Sequence, residues 1–206
     1  MTRAQRRRQE SRSRLMSASR KVFSELGYHA ASVADILSAA GMARGTFYLY
    51  FPSKRAVFEA LLDEMFVHIA QAVRRVSTEV GAEPPLEQMY WNVRRLVDAV
   101  ETHRELTVIL LREAGGIDAD FDRKLDRFYD RICALIQSGL VDGQARGLVR
   151  RCDVRLVSYL VLGSLKEAML RFLAAEQPMD REELVREILT YVLHGIFTGP
   201  ADAATR

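Results

Sequence analysis

The chain has 206 residues, a mass of 23.4 kDa, 49% hydrophobic residues and a formal net charge of +3, which suits a small unit plus one larger domain with a real core. No apolar run approaches the ~18–20 residues of a membrane span, and the N-terminal arginines are not followed by the apolar segment of a signal peptide, so a soluble cytoplasmic protein is expected. Cys133 and Cys152 are too few for a disulfide scaffold and too far apart for a zinc pair, and His29, His68, His103 and His194 make no HxxH or HxxxH spacing, so neither disulfide nor metal is expected.

The positive charge is local. Residues 1–55 hold 11 Lys+Arg against 3 Asp+Glu, a net of +8 that leaves −5 on the rest. Arg3, Arg6, Arg7, Arg8, Arg12 and Arg14 precede or open the first helix. They are either a solvated tail, disordered without DNA, or an arm that binds phosphate or enters an adjacent minor groove.

Next comes a pattern of short helices. Ser32 and Asp35 have the S-x-x-D spacing of a capping box, so a helix should begin near Val33 and turn Val33, Ile36, Leu37 and Ala40 to one side. Gly41 stops it, since glycine takes the left-handed conformation without a Cβ clash. A second helix of barely two turns follows over 44–51. Phe47, Tyr50 and Phe51 can face inward there, leaving Arg44, Thr46, Tyr48 and Leu49 outward. Arginine can grip a guanine edge, threonine a base or phosphate, and an apolar side chain a thymine methyl; a tyrosine hydroxyl suits a phosphate oxygen. Pro52-Ser53 closes this helix, and Ser53 caps a third through Val57, Leu61, Leu62, Met65 and Ile69. Lys54 adds a positive charge beside that helix's first N–H groups.

Residues 10–66 resemble the DNA-binding domain of the TetR/AcrR family of transcriptional repressors. The resemblance rests on Phe23-Ser24-Glu25-Leu26-Gly27-Tyr28, Ser32-Val33-Ala34-Asp35-Ile36, Ala39-Ala40-Gly41 and the run from Gly45 to Lys54. It implies a third helix in the major groove, with DNA contacts at Ser32, Val33, Arg44, Gly45, Thr46, Tyr48, Leu49, Tyr50 and Lys54. Two positions depart from the family pattern. Ala43 stands where a capping serine is common, which leaves an N–H uncapped at a cost of about 1 kcal/mol, and Leu49 stands where a polar residue is frequent. The expected organisation is a basic N-terminal arm and helix-turn-helix over 1–55 and a helical ligand-binding and dimerisation domain over 56–206, connected by a helix over 53–80.

Every later periodic signal is helical, so an all-α fold is expected. Breaks fall at Gly81-Ala82-Glu83-Pro84-Pro85, at Gly115-Gly116, near Gly147 and at Gln177-Pro178. The spacing predicts amphipathic helices over 86–101 and 120–147. Over 154–175 the apolar residues populate almost the whole circumference, and over 182–197 they repeat behind an Asp180/Glu183 capping pair. Helices this apolar need cover on two sides, which a second copy would supply through a two-fold four-helix bundle, with Gly163 and Ser164 permitting close approach.

Other constellations carry less. Asp118-x-Asp120-x-Asp122 opens like a calcium loop, but Arg123 and Tyr129 occupy the positions that need glycine and glutamate. Gly139, Gly143 and Gly147 allow close packing or fraying. No nucleophile–base pair, paired carboxylates or cofactor motif is present, so no catalytic residue and no cofactor is expected. The family resemblance also implies a small-molecule pocket. The candidates are Met89, Trp91, Leu110, Phe128, Tyr129, Ile132, Leu165 and Met169 as lining, and Arg112 as either an internal ion pair with Glu113 or Asp98 or a contact for an anionic ligand. The expected function is a homodimeric, ligand-responsive regulator of transcription, a repressor that binds double-stranded DNA at a palindromic operator and leaves it when a largely apolar effector binds. An activator, a ligand-free DNA-binding protein on the same scaffold, and an all-helical enzyme are the alternatives.

Overall fold

The computed structural model describes residues 2–77, 79–113, 119–175 and 179–196. Among these are nine helices and no strand: α1 (Arg3–Ala30), α2 (Val33–Ala40), α3 (Arg44–Phe47), α4 (Lys54–Ala72), α5 (Pro85–Thr102), α6 (Arg104–Glu113), α7 (Ala119–Ala145), α8 (Val154–Ala174) and α9 (Arg181–Ile196). The expected breaks at Gly115-Gly116 and Gln177-Pro178, and Phe197, lie outside the described residues.

The chain forms two compact units, Met1–His68 with His103–Gly116 and Ile69–Thr102 with Ile117–Arg206. This differs from a division after residue 55 in two ways: the first unit keeps most of α4, and it takes in α6. Burial of the leucine and isoleucine side of α6, at Leu106, Ile109 and Leu110, accounts for the second difference, because that side packs on α1. Thr107 donates its hydroxyl to Met65 Sδ at 3.4 Å, tying α6 to α4.

The arginine-rich start of the chain is helical. Thr2 caps α1 by accepting from Gln5 N at 3.2 Å while donating its own N–H to Gln5 Oε1 at 2.7 Å, a reciprocal capping box. Gly27, with φ 75°, interrupts the helix near its end and returns it for one short turn. Phe23, Tyr28 and Phe58 close the core there, with Phe23 edge-on to Phe58 at 5.3 Å and Tyr28 against Phe58 at 4.6 Å, the offset geometry that aromatic quadrupoles favour.

His103 is a buried polar group in this unit. His68 Nδ1 and His103 Nε2 share a hydrogen bond of 2.9 Å, and His103 Nδ1 is buried without a partner among the described residues. Burial, then the charges of Arg20 and His68, hold His103 below the usual histidine range, with Glu105 opposing. The unfolded chain therefore takes up this proton first as pH falls. Stability linked to His103 is full above about pH 6.5 and is lost as pH drops below it toward the folded value. Urea midpoints at pH 8 and pH 5.5 check this, and His103→Gln is expected to flatten the difference.

The second unit is built from the end of α4, α5 and α7–α9. α4 ends at Ala72, short of the expected residue 80, and the chain beyond it is held by side chains of α5: Arg74 N donates to Asn92 Oδ1 at 2.9 Å and Ser77 N to Gln88 Oε1 at 2.7 Å. α7 and α8 pack through Leu140, Val149 and Val157. A Cβ on Gly143 would stand 2.5 Å from Val149 Cγ2, so of the two readings of the glycine series, close packing holds at this position. Arg181 bridges α9 to Asp98 at 2.9 Å and Glu101 at 2.7 Å on α5. As half-exposed pairs these fix geometry more than they stabilise.

Candidate nucleic-acid interface

Ser32 Oγ accepts from Asp35 N at 3.2 Å, and Asp35 Oδ2 accepts from Ser32 N at 2.9 Å and from its hydroxyl at 2.6 Å. These bonds hold the Asp35 carboxyl below the usual carboxylate range and fix where α2 begins. At its other end Gly41, at φ 59° and ψ 42°, donates its N–H to the carbonyls of Leu37 and Ser38, and a Cβ there would lie 3.2 Å from the Arg14 guanidinium. The turn into α3 is thus closed by backbone geometry and flanked by an arginine.

α3 is shorter than expected. Regular helix covers Arg44–Phe47, and hydrogen bonds from Tyr50 N and Phe51 N to Phe47 O carry the turn onward. Ala43 gives no side-chain cap, as its chemistry requires. Phe47 and Phe51 are buried with their rings 6.0 Å apart. Arg44 and Gly45 are exposed, and so are Tyr48 (60%) and Leu49 (70%). Thr46 and Tyr50 are half-buried, as is Val33, and Ser32 is exposed at the start of α2. An outward edge carrying a guanidinium, a phenol and a leucine, with open space where a Cβ on Gly45 would stand, offers a duplex both polar and methyl-sized contacts.

Lys54 does not belong to that edge. Its Nζ donates to the carbonyls of Tyr28 (2.7 Å), His29 (3.1 Å) and Ala31 (2.8 Å), and it lies 4.6 Å above the Tyr28 ring. All three ammonium protons are engaged at the end of α1, and burial pulls the amine below the usual lysine range. Lys54, expected among the DNA contacts, thus clamps α4 to the end of α1 in this structure. Lys54→Met is expected to lower stability by about 1–3 kcal/mol by leaving carbonyls unsatisfied, read as a urea midpoint.

Arg12 and Arg14 have roles that local pattern did not reveal. The Arg12 guanidinium lies 5.2 Å from the Phe51 ring centroid and donates to Met16 Sδ at 3.1 Å. Beyond them an open groove of about 730 Å³ is lined by Arg3, Ala4, Arg7, Arg8 and Ser11 of α1 and by Leu49 and Tyr50.

The chain matches "Bacterial regulatory proteins, tetR family" over residues 15–61 and "Tetracyclin repressor-like, C-terminal domain" over residues 82–196. It belongs to the TetR family. It is 37% identical over 191 residues to the HTH-type transcriptional regulator UidR of Escherichia coli, covering 92% of this chain and 94% of that one. The fatty acid degradation regulator FadR from Bacillus halodurans has the same fold, with a TM-score of 0.75 and 24% identity over 90% of this chain and 95% of its own. FadR from Bacillus subtilis, solved in complex with stearoyl-CoA, gives a TM-score of 0.74 at 22% identity, over 89% of this chain and 98% of that one. This TetR-family chain is accordingly a DNA-binding regulator of transcription and not an enzyme.

The effector candidates divide between the units. In the second, Met169 of α8 is buried, while Leu165 and the α7 residues Phe128, Tyr129 and Ile132 are half-buried, as is Met89 of α5. Trp91 is 46% exposed, with its ring 5.2 Å from that of Tyr90 on α5. Leu110 and Arg112 lie on α6 in the first unit. Leu110 is core, and Arg112 is exposed rather than enclosed, because it falls outside the packed stripe of Leu106, Ile109 and Leu110 near the end of α6. Asp98, its suggested partner, is paired with Arg94 and Arg181; the Glu113 side chain lies outside what is described. Sequence reading passed over Lys166, whose Nζ lies 3.9 Å from the Tyr129 ring centroid. Burial draws its amine down and pushes the Tyr129 phenol up to about 12. A further groove of about 370 Å³, lined by Tyr90, Glu182, Arg186, Leu189 and Thr190, contains none of the expected residues.

Proposed function

We propose that the protein is a homodimeric repressor that grips a palindromic operator with two copies of the α3 edge and leaves it when a largely apolar effector binds the second unit. The observation that carries the DNA half of this reading is the outward edge Arg44, Gly45, Tyr48 and Leu49, presented by a buried Phe47/Phe51 base. The dimer half is supported by α8. Val157, Met169, Phe172 and Leu173 are buried on one side, while on the opposite side Leu156 (56% exposed), Tyr159, Leu160 (60%) and Gly163 lie open.

An effector can release DNA only through unequal affinity for two conformers. α4 contains residues of both units and would be the lever through which occupancy of one bears on the other. The effector would lie among Phe128, Tyr129, Ile132, Leu165 and Met169, with Lys166 the nearby cation for a carboxylate or phosphate head. Because one structural neighbour is a fatty acid degradation regulator and another was solved in complex with stearoyl-CoA, long-chain acyl thioesters are the first class to test.

Selection of duplexes from a random pool tests the proposal. The expected product is an inverted repeat, with half-site centres about 34–36 Å apart or a multiple of that, whose retention falls when stearoyl-CoA or another long-chain acyl thioester is added. An unenriched pool, or asymmetric winners, contradicts the operator reading. Enrichment untouched by any acyl chain rejects this effector class.

A further inference from the structure

We propose that the first three turns of α1 form a second DNA-binding surface, which holds a sugar–phosphate strand in the groove beside Tyr50 and reads no base. This deepens the regulator reading and rests on it. Most of this stretch lies ahead of residues 15–61, the segment matched to the family's DNA-binding model.

Ala4, Arg8, Ser11, Leu15, Ala18 and Val22 recur every three or four residues along α1 and form one seam. From Leu15 onward that seam is apolar and buried. Toward the N-terminus the same face carries Arg7 and Arg8 and, with Arg3, looks into the open groove whose other wall is Leu49 and Tyr50. The side of the helix that meets protein farther along thus opens into the groove here and is cationic. Arg3, Arg6, Arg7 and Arg8 are exposed, and none forms an ion pair among the described residues. Glu10 is the only carboxylate between residues 1 and 20.

These arginines also oppose their own helix. The first turn contains no acidic residue, and cations at a helix N-terminus face its positive end. An external polyanion reverses that penalty. Arginine is the only cationic residue type in the first 20 positions, and the planar guanidinium grips phosphate oxygens in pairs.

Helical structure also separates the two ways an arginine arm can bind DNA. An α-helix with its side chains is about 10–12 Å across, whereas the minor groove is about 6 Å wide. The helical arm therefore lies on the backbone beside the groove occupied by α3, and its phosphate bonds add affinity without sequence preference.

The test compares wild type with the triple variant R3Q/R7Q/R8Q and the charge-conserving R3K/R7K/R8K, each titrated with a wild-type-selected duplex and a scrambled one over a salt series. For the glutamine variant the expected result is weaker binding to both duplexes by the same factor, an unchanged ratio between them, and a log K against log salt slope shallower by about 2–3, near 0.9 for each phosphate no longer neutralised. The lysine variant should keep the slope. Unchanged helicity by circular dichroism assigns the loss to charge. If helicity falls, the single variants R3Q, R7Q and R8Q replace the triple one: a slope shallower by about 0.9 with helicity kept supports the surface, and an unchanged slope in all three overturns it. An unchanged slope in the glutamine variant overturns the proposal, as does a loss confined to duplexes with A·T-rich flanks, which would mean minor-groove reading. Salt-insensitive binding by wild type to every duplex would instead defeat the regulator reading beneath it.

Discussion

Replacing Leu160 by aspartate is expected to convert the protein to a monomer and to weaken operator binding about 10²–10⁴-fold, the factor by which two linked sites exceed one. Leu160 is 60% exposed at the centre of the open side of α8, between Leu156 and Gly163, and is not among the buried hydrophobic residues described. A carboxylate there costs the folded protomer little, but in a two-fold interface each copy meets its mate, so two charges enter the apolar seam. Leu135 provides the control. It is 56% exposed on α7, outside the proposed interface, and Leu135→Asp should leave the mass in solution and the affinity unchanged. Equal sedimentation of wild type and both variants would remove α8 from the dimer.

The second large effect concerns the reading edge. Arg44→Ala should weaken operator binding by about 1–3 kcal/mol, roughly 5–150-fold, and relax preference at the base pair it reads. Arg44 is exposed and forms no ion pair among the described residues, so the melting temperature should not move. Tyr48→Phe should instead weaken selected and scrambled duplexes alike, since its hydroxyl suits a phosphate. Anisotropy titrations on single-base variants of the selected duplex separate these outcomes. A uniform loss for Arg44→Ala would reassign it to the backbone.

What was legible in the sequence is what local chemistry fixes. Ser32 and Asp35 are three residues apart, and their reciprocal bonds start α2 where the spacing placed it; Gly41 ends it in the left-handed conformation expected. The helices predicted over 86–101, 120–147 and 154–175 are found at Pro85–Thr102, Ala119–Ala145 and Val154–Ala174, because apolar periodicity is a property of each segment alone. Partners distant in sequence were not legible. Lys54 was read by its place at a helix start, whereas its three acceptors lie 23 to 26 residues earlier. Val108-Ile109-Leu110-Leu111 announced an apolar helix face but not that α1 would receive it. No glycine or proline marks the break at His103, between α5 and α6, and Lys166 meets Tyr129 across 37 positions.

A basic helix-turn-helix duplicated by an apolar helix face should place two chains on one inverted repeat. The stoichiometry of the complex tests this most directly, by analytical ultracentrifugation of the protein with a duplex recovered from the random-pool selection, repeated at low and high salt. The expected result is two chains per duplex at saturation, with affinity falling steeply as salt rises. A saturated complex holding one chain per inverted repeat, or equal affinity for the selected and scrambled duplexes, would contradict it.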